Sequence, residues 1–174
     1  SETCVIENLH LFEGVMWVNI DIEDCNRDLI RLGLVKDTID RSPVTTVKLN
    51  LNYTPQARAD RVFGLNMPLP IKVFTNIINS YKFDEVRICD PHSDVSSALL
   101  DNVVVWQQHH ILRDKMKEIK QYMPEFTLVA PDVGAAKKIF DSVQMLGHKD
   151  YIQAVKIRDV LTGDIVKCEI NPYN

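Results

Sequence analysis

The sequence predicts an α/β fold, a mostly parallel sheet flanked by helices. Two observations carry that prediction. Short apolar runs at 15–22, 46–53, 85–89, 103–106, 126–130 and 151–155 have the composition and length of strands. Between most of them lie stretches whose apolar residues recur three and four positions apart, the period of a helix. Strands that alternate with helices build parallel sheets, because a parallel neighbour is reached only through a long crossover.

The elements follow in order. Residues 15–22 read as a strand, and Asp21 or Asp24 caps a helix running to about Arg41, with Leu29, Leu32 and Ile39 on its buried side. Ser42-Pro43 ends it. In 46–53, Val47, Leu49, Leu51 and Tyr53 alternate with Lys48, Asn50 and Asn52, the pattern of a half-buried strand. Residues 54–70 have no period and hold Pro55, Gly64, Pro68 and Pro70, so they form a loop. A helix is expected over 71–81, with Phe74, Ile77, Ile78 and Tyr81 inward. A strand at 85–89 leads to a turn at Asp90-Pro91 and a helical turn over 96–100.

The continuous apolar run 103–106 reads as a strand covered on both faces. A helix over 110–123, a strand at 126–130, a helix over 134–146 with Ile139, Phe140, Val143 and Leu146 inward, and a strand at 151–155 follow. Residues 157–170 suggest two extended arms around Thr162-Gly163-Asp164. Trp17 and Trp106 are expected in the core. The strand at 103–106 marks the passage from a first lobe, 1–104, to a second, partial lobe, 105–174.

With 174 residues, 45% of them hydrophobic, the chain can bury a core. A net charge of −4 argues against a general nucleic-acid surface, which needs a basic face. Cys4, Cys25, Cys89 and Cys168 form no Cys-x-x-Cys pair, so reduced, buried thiols are expected rather than a disulfide framework or a zinc site. No stretch has the length and apolarity of a bilayer span, and the expected location is the cytoplasm.

Four strand-like runs each stop at a polar cluster, and in such sheets ligands bind outside the carboxyl ends of the strands. The first holds Arg58 and Asp60, which suit a polyphosphate grip or a plain surface ion pair. The second is Asp90-Pro91-His92-Ser93, where His92 suits a divalent metal, a phosphate, or a satisfied loop. In the third, Asp132 precedes Gly134-Ala135 and serves either sugar and phosphate oxygens or a helix cap. The fourth is Lys156-Ile157-Arg158, two cations on one face of an extended chain; they suit a transferring phosphoryl group or a charged edge strand. His109-His110 diverge by about 100° on a helix and make a poor metal pair.

In order and spacing, these clusters resemble the ribose-phosphate pyrophosphokinase (phosphoribosyl-pyrophosphate synthetase) family. Its Tyr/Phe-x-Pro-x-Ala-Arg-Gln-Asp-Arg stands here as Tyr53-Thr-Pro-Gln-Ala-Arg-Ala-Asp-Arg61. Its Asp-x-His-Ser/Ala, Pro-Asp-x-Gly-Gly and Lys-x-Arg stand as Asp90 to Ser93, Pro131 to Ala135 and Lys156 to Arg158. The opening Glu2-Thr3-Cys4-Val5 is similar to the segment whose acidic residue reaches the adenine site of a neighbouring subunit.

The resemblance implies two type I phosphoribosyltransferase-like lobes, the second incomplete. It also implies transfer of the diphosphoryl group of Mg-ATP to the 1-hydroxyl of ribose 5-phosphate, in a homo-oligomer (dimer or hexamer). By motif, Arg58, Asp60, His92 and Glu2 meet ATP. Asp132 meets the ribose, His92 and Asp132 hold Mg2+, and Lys156 and Arg158 are catalytic. Ala59 and Ala135 depart from the family's glutamine and second glycine. The Asp-Asp-x-x-x-x-Gly-Gly-Thr loop that binds the 5-phosphate is absent, so the sequence is expected to be a fragment. The alternative is a non-catalytic regulatory or interaction subunit on the same lobes. A phosphoribosyltransferase needs the same loop and leaves Arg58, Asp60 and His92 unexplained.

Overall fold

The computed structural model describes residues 5–119, 121–123, 125–147, 150–159, 162 and 164–171. The chain divides into two compact units, Ser1–Trp106 and Gln107–Asn174.

The first unit is a four-stranded parallel sheet with strands in sequence order: β1 (Gly14–Ile20), β2 (Val44–Leu51), β3 (Glu85–Cys89) and β4 (Val103–Trp106). The crossovers carry α1 (Cys25–Asp40), α2 (Pro70–Ser80) and α3 (Asp94–Leu99). Crossovers of one hand, each stepping to the next strand in the same direction, bring their helices to the same face. The core agrees. Leu29, Leu32 and Ile39 of α1 and Ile71, Phe74 and Ile78 of α2 pack with Val47, Leu49, Leu51, Val86 and Ile88 of the sheet.

Local chemistry fixes where the helices begin. Asp24 caps α1, accepting from the backbone N–H of Asn26 at 2.9 Å and of Arg27 at 3.2 Å. Asp28 reaches back and accepts from the N–H of Glu23 and Asp24 at 3.0 and 2.9 Å. These bonds use donors that a helix start otherwise leaves unpaired. Pro70 stands in the first turn of α2, where a missing N–H costs nothing.

The opposite face of this sheet corrects two expectations. The run 103–106 is not covered on both sides, and the tryptophans are not core. Trp17 is 36% and Trp106 44% exposed. Since α1, α2 and α3 share one face, the alternate side chains of each strand point away from the core. The guanidinium of Arg87 lies over both indoles, 4.2 Å from the Trp17 ring and 5.1 Å from that of Trp106. Lys48 lies 5.3 Å from the Trp17 ring, and Glu85 pairs with both cations.

The second unit holds α4 (Gln108–Ile119), β5 (Leu128–Ala130), a 3-10 turn (Val133–Ala135), α5 (Ala136–Leu146), β6 (Tyr151–Arg158) and β7 (Ile165–Asn171). The sheet order is β5-β6-β7, with β5 parallel and β7 antiparallel to β6. Ala130, Ile139 and Val143 form its small core with Leu128 and Tyr151. Phe140, expected inward, is half exposed. The two extended arms are the hairpin β6–β7; β6 pairs with β5 over Tyr151 to Gln153, and farther along, at Lys156, with β7. At the hairpin end the N–H of Asp159 donates to Asp164 O and that of Thr162 to Asp159 Oδ1; Gly163 lies outside the described residues. Cys25 and Cys89 are half-buried free thiols, whereas Cys168, expected buried, is exposed on a hairpin arm; Cys4 lies outside the described residues.

Candidate functional site

Each described cluster lies at or just beyond the carboxyl end of a strand in its own unit. Beyond β2, the turn at residues 55–58 is seated by Ala57, which is buried in the core. Its neighbours Gln56 and Arg58 are thereby turned to solvent. Gln56 takes the left-handed backbone conformation (φ 61°), and Ala59 N–H donates to its carbonyl at 2.9 Å. The chain emerges with Arg58 exposed and the Asp60 side chain only 9% exposed.

Beyond β3, Asp90 also takes a left-handed conformation (φ 42°), and its N–H donates to Trp106 O at 2.9 Å. Few residue types tolerate that backbone as well as aspartate. Pro91 is buried and His92 exposed. Ser93 then caps α3 by accepting from Val95 N–H at 3.4 Å. It also donates its hydroxyl proton to Asp60 Oδ2 at 2.6 Å, so the first two predicted clusters meet. That bond, with the nearby charges of Arg61 and His92, holds the Asp60 carboxyl below its usual range against the opposing effect of desolvation.

In the second unit Asp132 follows β5 directly. Its Oδ1 accepts from Ala135 N–H at 2.9 Å, so it caps the 3-10 turn. Its Oδ2 accepts from Lys156 Nζ at 3.0 Å. Lys156, near the end of β6, keeps 28% of its side chain exposed and Asp132 41%. The lysine, followed by the Ala135 amide, lowers the pKa of Asp132. The third and fourth clusters therefore also meet, as a carboxylate–ammonium pair open to solvent. Glu2 and the side chain of Arg158 lie outside the described residues.

Some of this was missed in the sequence. Ser93 figured there as part of a motif and not as a partner of Asp60. Asn52 donates to Asp21 Oδ1 at 2.9 Å, and Asn50 to Asn52 Oδ1 at 2.9 Å, which adds an exposed polar ladder at the ends of β1 and β2. The signal was legible: polar residues at i and i+2 closing an apolar strand. A cavity of about 340 Å3 opens between α1, α2 and the loop after β2, lined by Cys25, Leu29, Gln56, Pro70, Phe74 and Ile77 among others. It is apolar, and Arg58, Asp60 and His92 are not in its wall.

The donor set bears on metal. Among the described residues no group of three or more His, Cys, Asp or Glu side chains could hold an ion. A dedicated cage is thus not built from them. One or two carboxylates, with substrate phosphates supplying the other oxygens, is how Mg2+ is ordinarily held, and Asp132 fits that pattern better than the nitrogen of His92.

Fold and site together define a class: an α/β protein whose units each gather charged side chains at strand carboxyl ends, Arg58, Asp60 and His92 in the first and Asp132 and Lys156 in the second. The comparisons are more particular. The chain is 26% identical over 124 residues to a ribose-phosphate pyrophosphokinase of Thermosipho africanus, covering 70% of this chain and 39% of that protein. It is 25% identical over 125 residues to a protein of the same name from Thermotoga maritima, covering 70% and 39%. The chain therefore spans well under half the length of these curated relatives. No protein-family model matches it. A crystal structure of phosphoribosylpyrophosphate synthetase from Mycobacterium smegmatis superposes with a TM-score of 0.68 at 16% identity, over 90% of this chain and 50% of that one. The resemblance to ribose-phosphate pyrophosphokinases stands, and the fold is the one seen in that synthetase.

Proposed function

We propose that the chain is the Mg-ATP-binding part of a ribose-phosphate diphosphokinase, an enzyme that moves the diphosphoryl group of ATP to the 1-hydroxyl of ribose 5-phosphate, leaving AMP. One observation carries the reading: side chains of the expected kinds pair across clusters at strand carboxyl ends, Asp60 with Ser93 and Asp132 with Lys156. Similarity to proteins of that name supports it.

In this reading Arg58 and His92 meet the triphosphate, and Asp60 orders the segment that carries Arg58. Asp132 faces the ribose hydroxyls. Lys156, joined by Arg158, neutralises charge on the phosphoryl group in transit. Phosphoryl transfer asks a protein for position and charge more than for covalent chemistry, and these residues supply both. Mg2+, arriving on ATP, adds charge neutralisation between the phosphates. The Asp132–Lys156 pair keeps the ammonium aimed until an anion competes for it. Substrates, homo-oligomeric assembly and a cytoplasmic location belong to the same proposal.

The test is AMP release in the presence of ribose 5-phosphate, with the full enzyme and its Lys156→Ala variant. Turnover should fall by about 100-fold or more, as when one transition-state charge contact is removed, with a smaller change in ATP affinity. Unchanged turnover removes Lys156 from the mechanism. A full-length protein that binds Mg-ATP yet releases no AMP favours the non-catalytic subunit.

A further inference from the structure

We propose that Ser93 is a positioning residue: by gripping Asp60, its hydroxyl latches the loop that carries Arg58 to the loop that carries His92. The inference rests on the nucleotide reading above. It gives Asp60 a structural partner in place of a ligand.

The hydroxyl is used twice, and the direction of each bond is fixed. Val95 N–H donates to Ser93 Oγ, so the hydroxyl proton is left to go to Asp60 Oδ2, 2.6 Å away. Such a length is normal for O–H donating to a carboxylate, a class of bond stronger than neutral ones. The bond joins segments 33 positions apart in sequence. Within the loop after β2 the backbone ties are local: Ala57 N–H to Thr54 O at 3.4 Å, and Ala59 N–H to Gln56 O at 2.9 Å. Ala59 O accepts from Ile71 N–H only at 3.5 Å.

Arg61 is a weak substitute partner for Asp60. Its Nε is 3.7 Å away, and its side chain is largely in water, where ion pairs contribute little. The Asp60 side chain is 9% exposed, so without Ser93 its carboxylate keeps most of its desolvation and loses its donor. The loop then has reason to move. Arg58 is two residues from Asp60 and His92 is adjacent to Ser93, so the groups meant for the phosphates shift with the latch. Displacements of about 1 Å are enough to degrade such a site.

The confound is the cap on α3, and the choice of variants removes it. Ser93→Thr keeps both hydroxyl and cap. Ser93→Asp keeps a good cap acceptor but sets a second carboxylate against Asp60. Two readouts are taken on this chain: Mg-ATP affinity by calorimetry, and hydrogen exchange of the Ala59 amide without nucleotide. Ser93→Ala and Ser93→Asp should each weaken Mg-ATP by about tenfold or more, the scale of one charge-assisted hydrogen bond, and should speed Ala59 exchange. Ser93→Thr should match the unsubstituted chain in both. Ser93→Asp behaving like the unsubstituted chain in both readouts overturns the proposal, because the cap alone then accounts for Ser93. If Ser93→Asp speeds Ala59 exchange while the unsubstituted chain binds no Mg-ATP, the latch stands and the nucleotide reading falls.

Discussion

Gly33 sits inside α1, where replacement by alanine ordinarily strengthens a helix by about 1 kcal/mol. Here the opposite sign is expected. A Cβ built on Gly33 meets the Tyr81 side chain at 3.0 Å from Cε1 and 3.2 Å from both Cζ and the hydroxyl oxygen. The ring must yield by a few tenths of an ångström. It is held on two sides, by its hydroxyl donating to Leu29 O at 2.8 Å and by an edge-on contact with Phe83, centroids 6.5 Å apart.

Overpacking of this kind costs about 1–3 kcal/mol, and a strained or broken hydrogen bond adds about 1 kcal/mol. Set against the helical gain, Gly33→Ala should destabilise the first unit by about 1–3 kcal/mol. Urea unfolding followed by tryptophan fluorescence reports it, since Trp17 and Trp106 both lie in that unit. The double variant sharpens the argument. Tyr81→Phe releases the ring from Leu29, so adding Gly33→Ala to it should be neutral or stabilising by up to about 1 kcal/mol. A Gly33→Ala protein more stable than the parent would refute the claim that Tyr81 is pinned.

Three further outcomes follow from the same structure. Asp24→Ala should cost about 1 kcal/mol through loss of the α1 cap, measured in the same denaturation. Ile88→Ala, at a fully buried position on a central strand, should cost about 2–5 kcal/mol and leave the first unit marginal at 37 °C. Asp28, held well below the usual carboxylate range first by Arg27 and then by backbone N–H groups, has a sign that can be worked out. Its folded pKa is depressed, so its contribution is whole above about pH 4, the ordinary carboxyl value, and fades as pH falls below it. A pH series from 7 to 2.5 should therefore show a shallower acid loss for Asp28→Asn than for the parent; identical slopes would contradict the assignment.

Much of the fold could be read from residue patterns because local and tertiary demands agree. The alternation Val47, Leu49, Leu51 survives as the buried side of β2, and the stripe Phe74, Ile78 as the buried side of α2. Pattern failed where a side chain's partner is remote in sequence. Trp17 and Trp106 look like core by composition, yet they lie on the face that no helix of their unit covers, stacked with Arg87 across the sheet. Val103 to Trp106 reads as doubly covered because valine is apolar on either face; strand order, which four residues do not encode, decides which face is wet. The site was legible as motifs but not as pairs. No spacing rule links Asp60 to Ser93 or Asp132 to Lys156, since each pair depends on which strands end side by side.

The central proposal is that the clusters at the strand carboxyl ends serve Mg-ATP. Chemical-shift mapping of the backbone amides during a Mg-ATP titration tests it most directly. The account predicts saturable shifts at Arg58 to Arg61, His92 and Ser93 in the first unit and at Asp132 and Lys156 in the second, all of which disappear when Mg2+ is chelated. Shifts absent from these positions, or unchanged when Mg2+ is chelated, would contradict it.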